Sequence, residues 1–151
     1  MKYPTILAML LSATACTDQP NEQSAITPEA AAKATAVARD TPLEITITQF
    51  PKAYFGRWGM TANDCAWGAS DAKGLLSIQG SLVKFYESTG MMRNGKRETL
   101  NSVSSDFDMT GEGQKWQTHV RYRLAENRRQ LVRQDTGEPN EYVYMRCPDP
   151  K

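Results

Sequence analysis

The chain has one histidine, His119, and three cysteines in its 151 residues. It has no Gly-rich phosphate loop, no nucleophile elbow, and no cysteine or histidine at zinc-ligand spacing. Metal-centred and nucleotide-dependent chemistry therefore have no motif to rest on. No apolar run reaches the ~20 residues that a membrane-spanning helix requires. Positive charge is scarcely in excess, with 18 Lys+Arg against 17 Asp+Glu, for a net charge of +1. That balance gives no electrostatic basis for nucleic acid as a partner. After Pro42 no helical period of useful length occurs, and no internal repeat is evident. Strands are left to build the fold.

What is present begins with a leader. Lys2 precedes an uncharged, mostly apolar run from Pro4 to Leu11, then small residues and Cys16. This is the pattern of a secretory signal. Ser12-Ala13-Thr14-Ala15-Cys16 resembles the bacterial lipobox, with Ala13 where leucine is usual. The resemblance implies that Cys16 becomes the first mature residue and carries lipid, so that the membrane is reached through that anchor. Thr17, standing where an aspartate would favour inner-membrane retention, resembles an outer-membrane address facing the periplasm. The alternative is an ordinary signal cleaved after Ala15, which leaves Cys16 as an exposed thiol in an oxidising compartment.

With Cys16 lipidated, Cys65 and Cys147 form an even pair in an exported chain. A disulfide between them is expected. It closes a loop of roughly 80 residues and contributes on the order of 4–5 kcal/mol by the chain-entropy account. A metal or redox site is the alternative, and neither cysteine has a further ligand at suitable spacing.

Three segments follow: residues 1–15 as signal, 16–41 as lipidated cysteine and tether, and 42–151 as one β-domain. The tether is polar, then alanine-rich. Thr27-Pro28-Glu29 has the cap, first-turn proline and acid of a helix start, continuing to about Arg39. It buries little and stands outside the core. Beyond Pro42, Leu43–Thr48 alternates as a strand, and Tyr54–Trp58 reads as another. Gly74–Gln79 and Ser81–Glu87 read as a hairpin. Asn94-Gly95 is a tight-turn signal, placing Met91–Lys96 at a loop tip ahead of a long extended segment, Arg97–Met109. In Trp116–Leu124 one phase is apolar and the other carries His119, Arg121 and Arg123. Two further strands lead through Arg133 to Arg146 and Cys147. The fold class is all-β, a small antiparallel meander barrel of about seven or eight strands, with a sandwich as the alternative.

Gly56-Arg57-Trp58 resembles the G-x-W of lipocalins and related calycin barrels. That resemblance implies that Trp58 closes the barrel's base and packs under an arginine of the last strand, for which Arg146 is the candidate. The small exported barrel with G-x-W and a disulfide also looks like bacterial metalloprotease inhibitors of the Inh type. Phe55-Gly56-Arg57-Trp58-Gly59, Asp64-Cys65, Phe85-Tyr86-Glu87-Ser88 and Tyr144-Met145-Arg146-Cys147 together look like a group of small bacterial lipoproteins with no assigned activity. Trp58 is read as a structural corner, with a ligand-pocket tryptophan as the alternative.

Other candidates carry plainer readings. His119 is a solvated strand residue unless an acid or nucleophile joins it. Asp106 and Asp108 share a strand face and could share a cation or a proton, although a solvated face explains them as well. Arg121, Arg123 and Arg133, if they all project outward, form a basic patch for an acidic partner. Met91 and Met92 at a loop tip would make an adaptable contact. Phe85 and Tyr86 are ordinary strand aromatics before they are a binding platform. The expectation is a non-enzymatic envelope lipoprotein without cofactor, a binding or inhibitor module for a protein, envelope glycan or small apolar ligand. A docking factor with no small ligand is the second reading.

Overall fold

A computed structural model describes residues 41–149. The expected signal, lipidation site Cys16 and tether helix lie outside the described residues. The elements are β1 (Ile45–Ile47), β2 (Gly56–Gly59), β3 (Leu75–Gln79), β4 (Leu82–Lys84), β5 (Ser88–Met92), β6 (Gly95–Arg97), β7 (Ser102–Gly111), β8 (Gln114–Ala125), β9 (Gln130–Asp135) and β10 (Glu141–Arg146). Each strand pairs antiparallel with its neighbour, and β7 pairs with β8 to close the sheet on itself. The result is a closed antiparallel eight-stranded β-barrel, which removes the exposed sheet edges of an open sandwich.

The register gives the reason for eight. Met92 faces Phe107 and Lys96 faces Ser104, so four steps along β5–β6 match three along β7. A one-residue bulge at Arg93-Asn94 thus bends a single long strand. Its first half pairs with β4 and its second half with β1. The expected turn at Asn94-Gly95 is therefore corrected. The chain reverses between β6 and β7, at Glu98–Asn101, and Arg97–Met109 is not one extended run. Nor do Met91–Lys96 form a loop tip: Met92 is in the core and Met91 is on the outer wall. Tyr54 is likewise not in a strand but ends a 3-10 turn, Lys52–Tyr54.

Alternation sorts the side chains. Leu76, Ile78, Val83, Val103, Phe107, Val120, Tyr122 and Leu131 all face inward and are buried. Phe50 fills the centre. Its ring centroid lies 5.6 Å from Tyr54, 6.1 Å from Phe107 and 5.4 Å from Tyr122. These tilted, stacked and edge-on contacts add to area burial. The middle of the barrel is thus packed with side chains, as eight strands allow.

The Cys65–Cys147 disulfide is present, with the two Cα atoms 5.2 Å apart across a separation of 82 residues. It ties the β2–β3 loop to the residue that follows β10, whose N–H donates to Arg57 O on β2. A Cβ on Gly59 would meet Cys65 Sγ at 2.8 Å, so only glycine permits the approach. Asp64, buried in that loop, accepts hydrogen bonds from Thr61 N–H, Thr61 Oγ and Gly74 N–H at 2.8, 2.8 and 2.9 Å. Burial works against its ionisation, but these donors win and hold the carboxyl below its usual value.

Candidate functional site at the open end of the barrel

The strand ends fall into two groups. One end carries the β6–β7 and β8–β9 connections and the finish of β10; the other carries the β4–β5, β7–β8 and β9–β10 connections.

The first end is plugged at its centre, with a surface cleft of about 410 Å³ beside the plug between Asn101, Leu124 and Glu126–Arg128. Trp58 is fully buried, and its indole N–H donates to Tyr54 O at 2.9 Å. Arg146, paired with Trp58 across β10–β2, stacks over the indole at 4.1 Å. Its guanidinium donates to Arg128 O, Phe55 O and Ala53 O at 3.1, 2.9 and 2.5 Å. A cation on an indole face contributes roughly 0.5–2 kcal/mol, and here the same group also satisfies three carbonyls. Gly56 has φ +120, outside the range of L side chains, with Arg146 NH1 3.4 Å from where a Cβ would stand. Gly56, Trp58 and Arg146 therefore meet at one place, with the 3-10 turn strapped across it. Next to it, Glu126, Asn127 and Arg128 all take positive φ, at 47°, 54° and 67°.

The other end is open. A cleft of about 360 Å³ lies between Phe85, Tyr86 and Ser88 on one side and Trp116, Thr118 and Arg133 on the other. A second, of about 350 Å³, shares Glu87, Ser88 and Trp116 with it and continues to Gly111 and Gln114. Trp116 occupies the inward phase of β8 and pairs with Met109, yet Trp116 is 42% exposed and Met109 only 5%. β8 runs on here beyond β9, whose pairing with it ends at Val120–Asp135, while β7 stays paired with β5 up to Gly111, so Trp116 has no β9 side chain beside it.

Arg133 and Asp135 share the inward phase of β9 with Leu131, across from Tyr122 and Val120. Arg133 donates to Asp135 through Nε and NH2 at 2.8 and 2.5 Å. Their side chains are 18% and 17% exposed. The guanidinium lies 4.7 Å from the Phe85 ring and 5.4 Å from that of Tyr142, and it also donates to the Tyr144 hydroxyl. Burial draws its pKa down, but the Asp135 carboxylate beside it outweighs that and holds it above its usual value. Burial pushes the Tyr122 hydroxyl up, and that hydroxyl has no hydrogen-bond partner among the described residues.

Arg133 therefore does not belong to an outward basic patch. Leu131, Arg133 and Asp135 alternate on one face, and that face is the interior. Arg121 and Arg123 do project outward. Arg121 pairs with Glu98 at 3.0 Å, and Arg123 stands 4.0 Å from Glu141. The Glu98 carboxyl is held low against its burial by Ser104, Ser102 and Arg121. The expected cluster of three arginines is thus two compensated residues outside and one inside. Met91 is 47% exposed beside Leu82, whereas Met92 is 5% exposed.

His119 does meet an acid. Its Nδ1 lies 2.7 Å from Asp106 Oδ1, and Asn94 donates to Asp106 Oδ2 at 3.1 Å. The His119 hydrogen bond, then that of Asn94, holds the Asp106 carboxyl low. Asp108 pairs instead with Arg93 at 3.0 Å, so the two aspartates share no cation. These pairs sit on the outer wall, and no group of three or more metal-ligating side chains occurs among the described residues.

Sequence reasoning missed Trp116, Lys73 and Asp135 as mouth residues and passed over Phe85 and Tyr86. The available signal was the drift along two strands from apolar to polar on one phase. On β8 it runs from Leu124, Tyr122 and Val120 to Thr118 and Trp116. On β9 it runs from Leu131 to Arg133 and Asp135. No family model, curated protein or solved structure matches the chain.

Proposed function

We propose that the protein is a non-enzymatic lipoprotein of the cell envelope, anchored through Cys16 at the outer membrane and facing the periplasm, whose barrel takes a ligand or partner at its open end. The observation that carries this reading is the asymmetry of the barrel. One end is plugged by a buried tryptophan under a hydrogen-bonded arginine, and the other presents an uncovered tryptophan above an oriented ion pair. The lipobox-like Ser12–Cys16 and the lipocalin-like Gly56-Arg57-Trp58 support the address and the binding role. Folds host many activities, so the site rather than the barrel carries the functional claim.

The charged floor shifts the ligand away from a small apolar molecule. Covering Arg133 and Asp135 with hydrocarbon would remove their remaining water without replacement. A docking factor acting through Arg121 and Arg123 is less favoured, because Glu98 and Glu141 face both arginines.

Two measurements test the reading. Native mass spectrometry of the protein from its own host is expected to show an added mass, or a cross-linked partner, that Trp116→Ala abolishes. A bare protein with no cross-link through the open end would overturn the binding role. Cys16→Ser is expected to move the protein from the membrane to the soluble fraction, and unchanged membrane association would overturn the anchor.

A further inference from the structure

We infer that the open end binds the rings of a neutral oligosaccharide, one ring lying with its apolar face on Trp116 and its hydroxyls on the Arg133–Asp135 pair. This rests on the proposed binding role of that end and narrows it to a ligand class.

The chemistry of the floor leads there. The guanidinium has five N–H donors in one plane; Nε and NH2 use one each on Asp135 and a third goes to Tyr144, which leaves two for a ligand. Each carboxylate oxygen keeps a second lone pair. The pair therefore presents donors and acceptors together, at zero net charge. The Phe85 and Tyr142 rings lie 4.7 and 5.4 Å from the guanidinium carbon and restrict its movement, so little freedom is lost when a ligand docks. A vicinal diol matches such an array, because each hydroxyl donates once and accepts twice.

The walls select against the alternatives. An anion at the mouth meets Asp135 and Glu87, with Glu112 beyond; a cation meets Arg133 and Lys73. An aliphatic chain satisfies Trp116 but strips solvent from the ion pair. A sugar ring has both a C–H face for the indole and a hydroxyl edge for the floor. The two clefts run together through Trp116 at about 360 and 350 Å³, room in each for at least one ring. That continuity argues for a short chain of sugars rather than a single one.

The test is a titration of the full-length ¹⁵N-labelled protein with the neutral sugars N,N′-diacetylchitobiose, maltotriose and cellotriose, with palmitate as the apolar comparison. The indole N–H of Trp116 is identified by Trp116→Phe. At least one saccharide is expected to shift that indole and the Arg133 Nε–H while leaving the indoles of Trp58 and Trp67 in place. Trp116→Ala is expected to weaken binding at least tenfold. Arg133→Lys, which keeps the charge but loses the planar fork, is expected to do the same. If palmitate alone moves Trp116, the open end binds but the sugar assignment is wrong. If no saccharide moves Trp116, the inference falls, and the co-purified mass described above decides the binding role on its own. Equal shifts at all three tryptophans would mark non-specific binding and also overturn it.

Discussion

Each end of this barrel sets a tryptophan near an arginine, and the two pairs have opposite fates. At the closed end Trp58 is fully buried, its N–H bonded, with Arg146 stacked on its face and bonded to three backbone carbonyls. At the open end Trp116 is 42% exposed, and Arg133 is held by an acid and two rings beneath it. The same residue types therefore serve stability where the indole N–H and the guanidinium both find partners inside the protein. They serve recognition where donors, acceptors and an aromatic face are oriented but left open. The comparison predicts that damage at the closed end reads out as unfolding, and that damage at the open end reads out as lost binding.

The largest effect should come from the staple beside the closed end. Replacing Cys65 and Cys147 by serine frees a connection spanning 82 residues. The expected loss is about 4–5 kcal/mol in denaturant unfolding under non-reducing conditions. A loss below about 1 kcal/mol would mean that the plug, and not the covalent link, holds that end. Next, Trp58→Leu is expected to cost about 3 kcal/mol or more through the lost indole volume and the unbonded Tyr54 carbonyl. Arg146→Met keeps much of the packing but strips three carbonyls of a donor and the indole of its cation. It is expected to cost about 2–3 kcal/mol. If Arg146→Met unfolds no more easily than wild type, the closed end is not held in the way the geometry implies.

How much of this comparison could be read from sequence follows the range of the interactions. The strong alternation in β8, β9 and β10, the G-x-W corner and the cysteine pairing are legible because each is a local pattern or a parity argument. The bulge at Arg93-Asn94 is not. Asn94-Gly95 carries a turn signal, but its neighbours are drawn into the sheet by Asp106, whose carboxylate takes the Asn94 amide from across the strand. The true reversal, Glu98–Asn101, has neither glycine nor proline. It is fixed by Glu98 bonding to Ser102 and Arg121, which are remote in sequence or invisible as turn formers. Arg133 was legible in principle, since it shares the phase of Leu131. The habit of placing arginine outside overrode the alternation, and a charged residue on an inward phase is itself the mark of an open barrel end.

A smaller effect tests whether the wall is also held from outside. Asp64 organises the loop that the disulfide ties to the end of β10, and its carboxyl is held below its usual value by Thr61 and Gly74. A lowered folded pKa stabilises the fold above the unfolded value, near 3.8, and that stabilisation is lost as pH falls through the folded pKa. The wild-type melting temperature should therefore drop steeply below about pH 4. Asp64→Asn should be less stable at neutral pH by about 1–3 kcal/mol, and its drop with acid should be shallower. A parallel acid profile in the two proteins would show that Asp64 is not the linked group.

The smallest effect on stability belongs to the most exposed of the pair that opened the comparison. Trp116→Ala removes an indole that already has 42% of its surface in water. It leaves Met109 and Thr118 at the rim, and the core below is filled by Phe107 and Tyr122. No cavity is created inside the packed centre, so the change should fall within about 0.5 kcal/mol of wild type. A much larger loss, near that of Trp58→Leu, would mean that Trp116 is covering the barrel rather than waiting for a ligand. The functional asymmetry would then disappear, because both ends would be closed by the same device. A near-neutral melt together with loss of the co-purifying mass is the result that separates a lid from a binding platform.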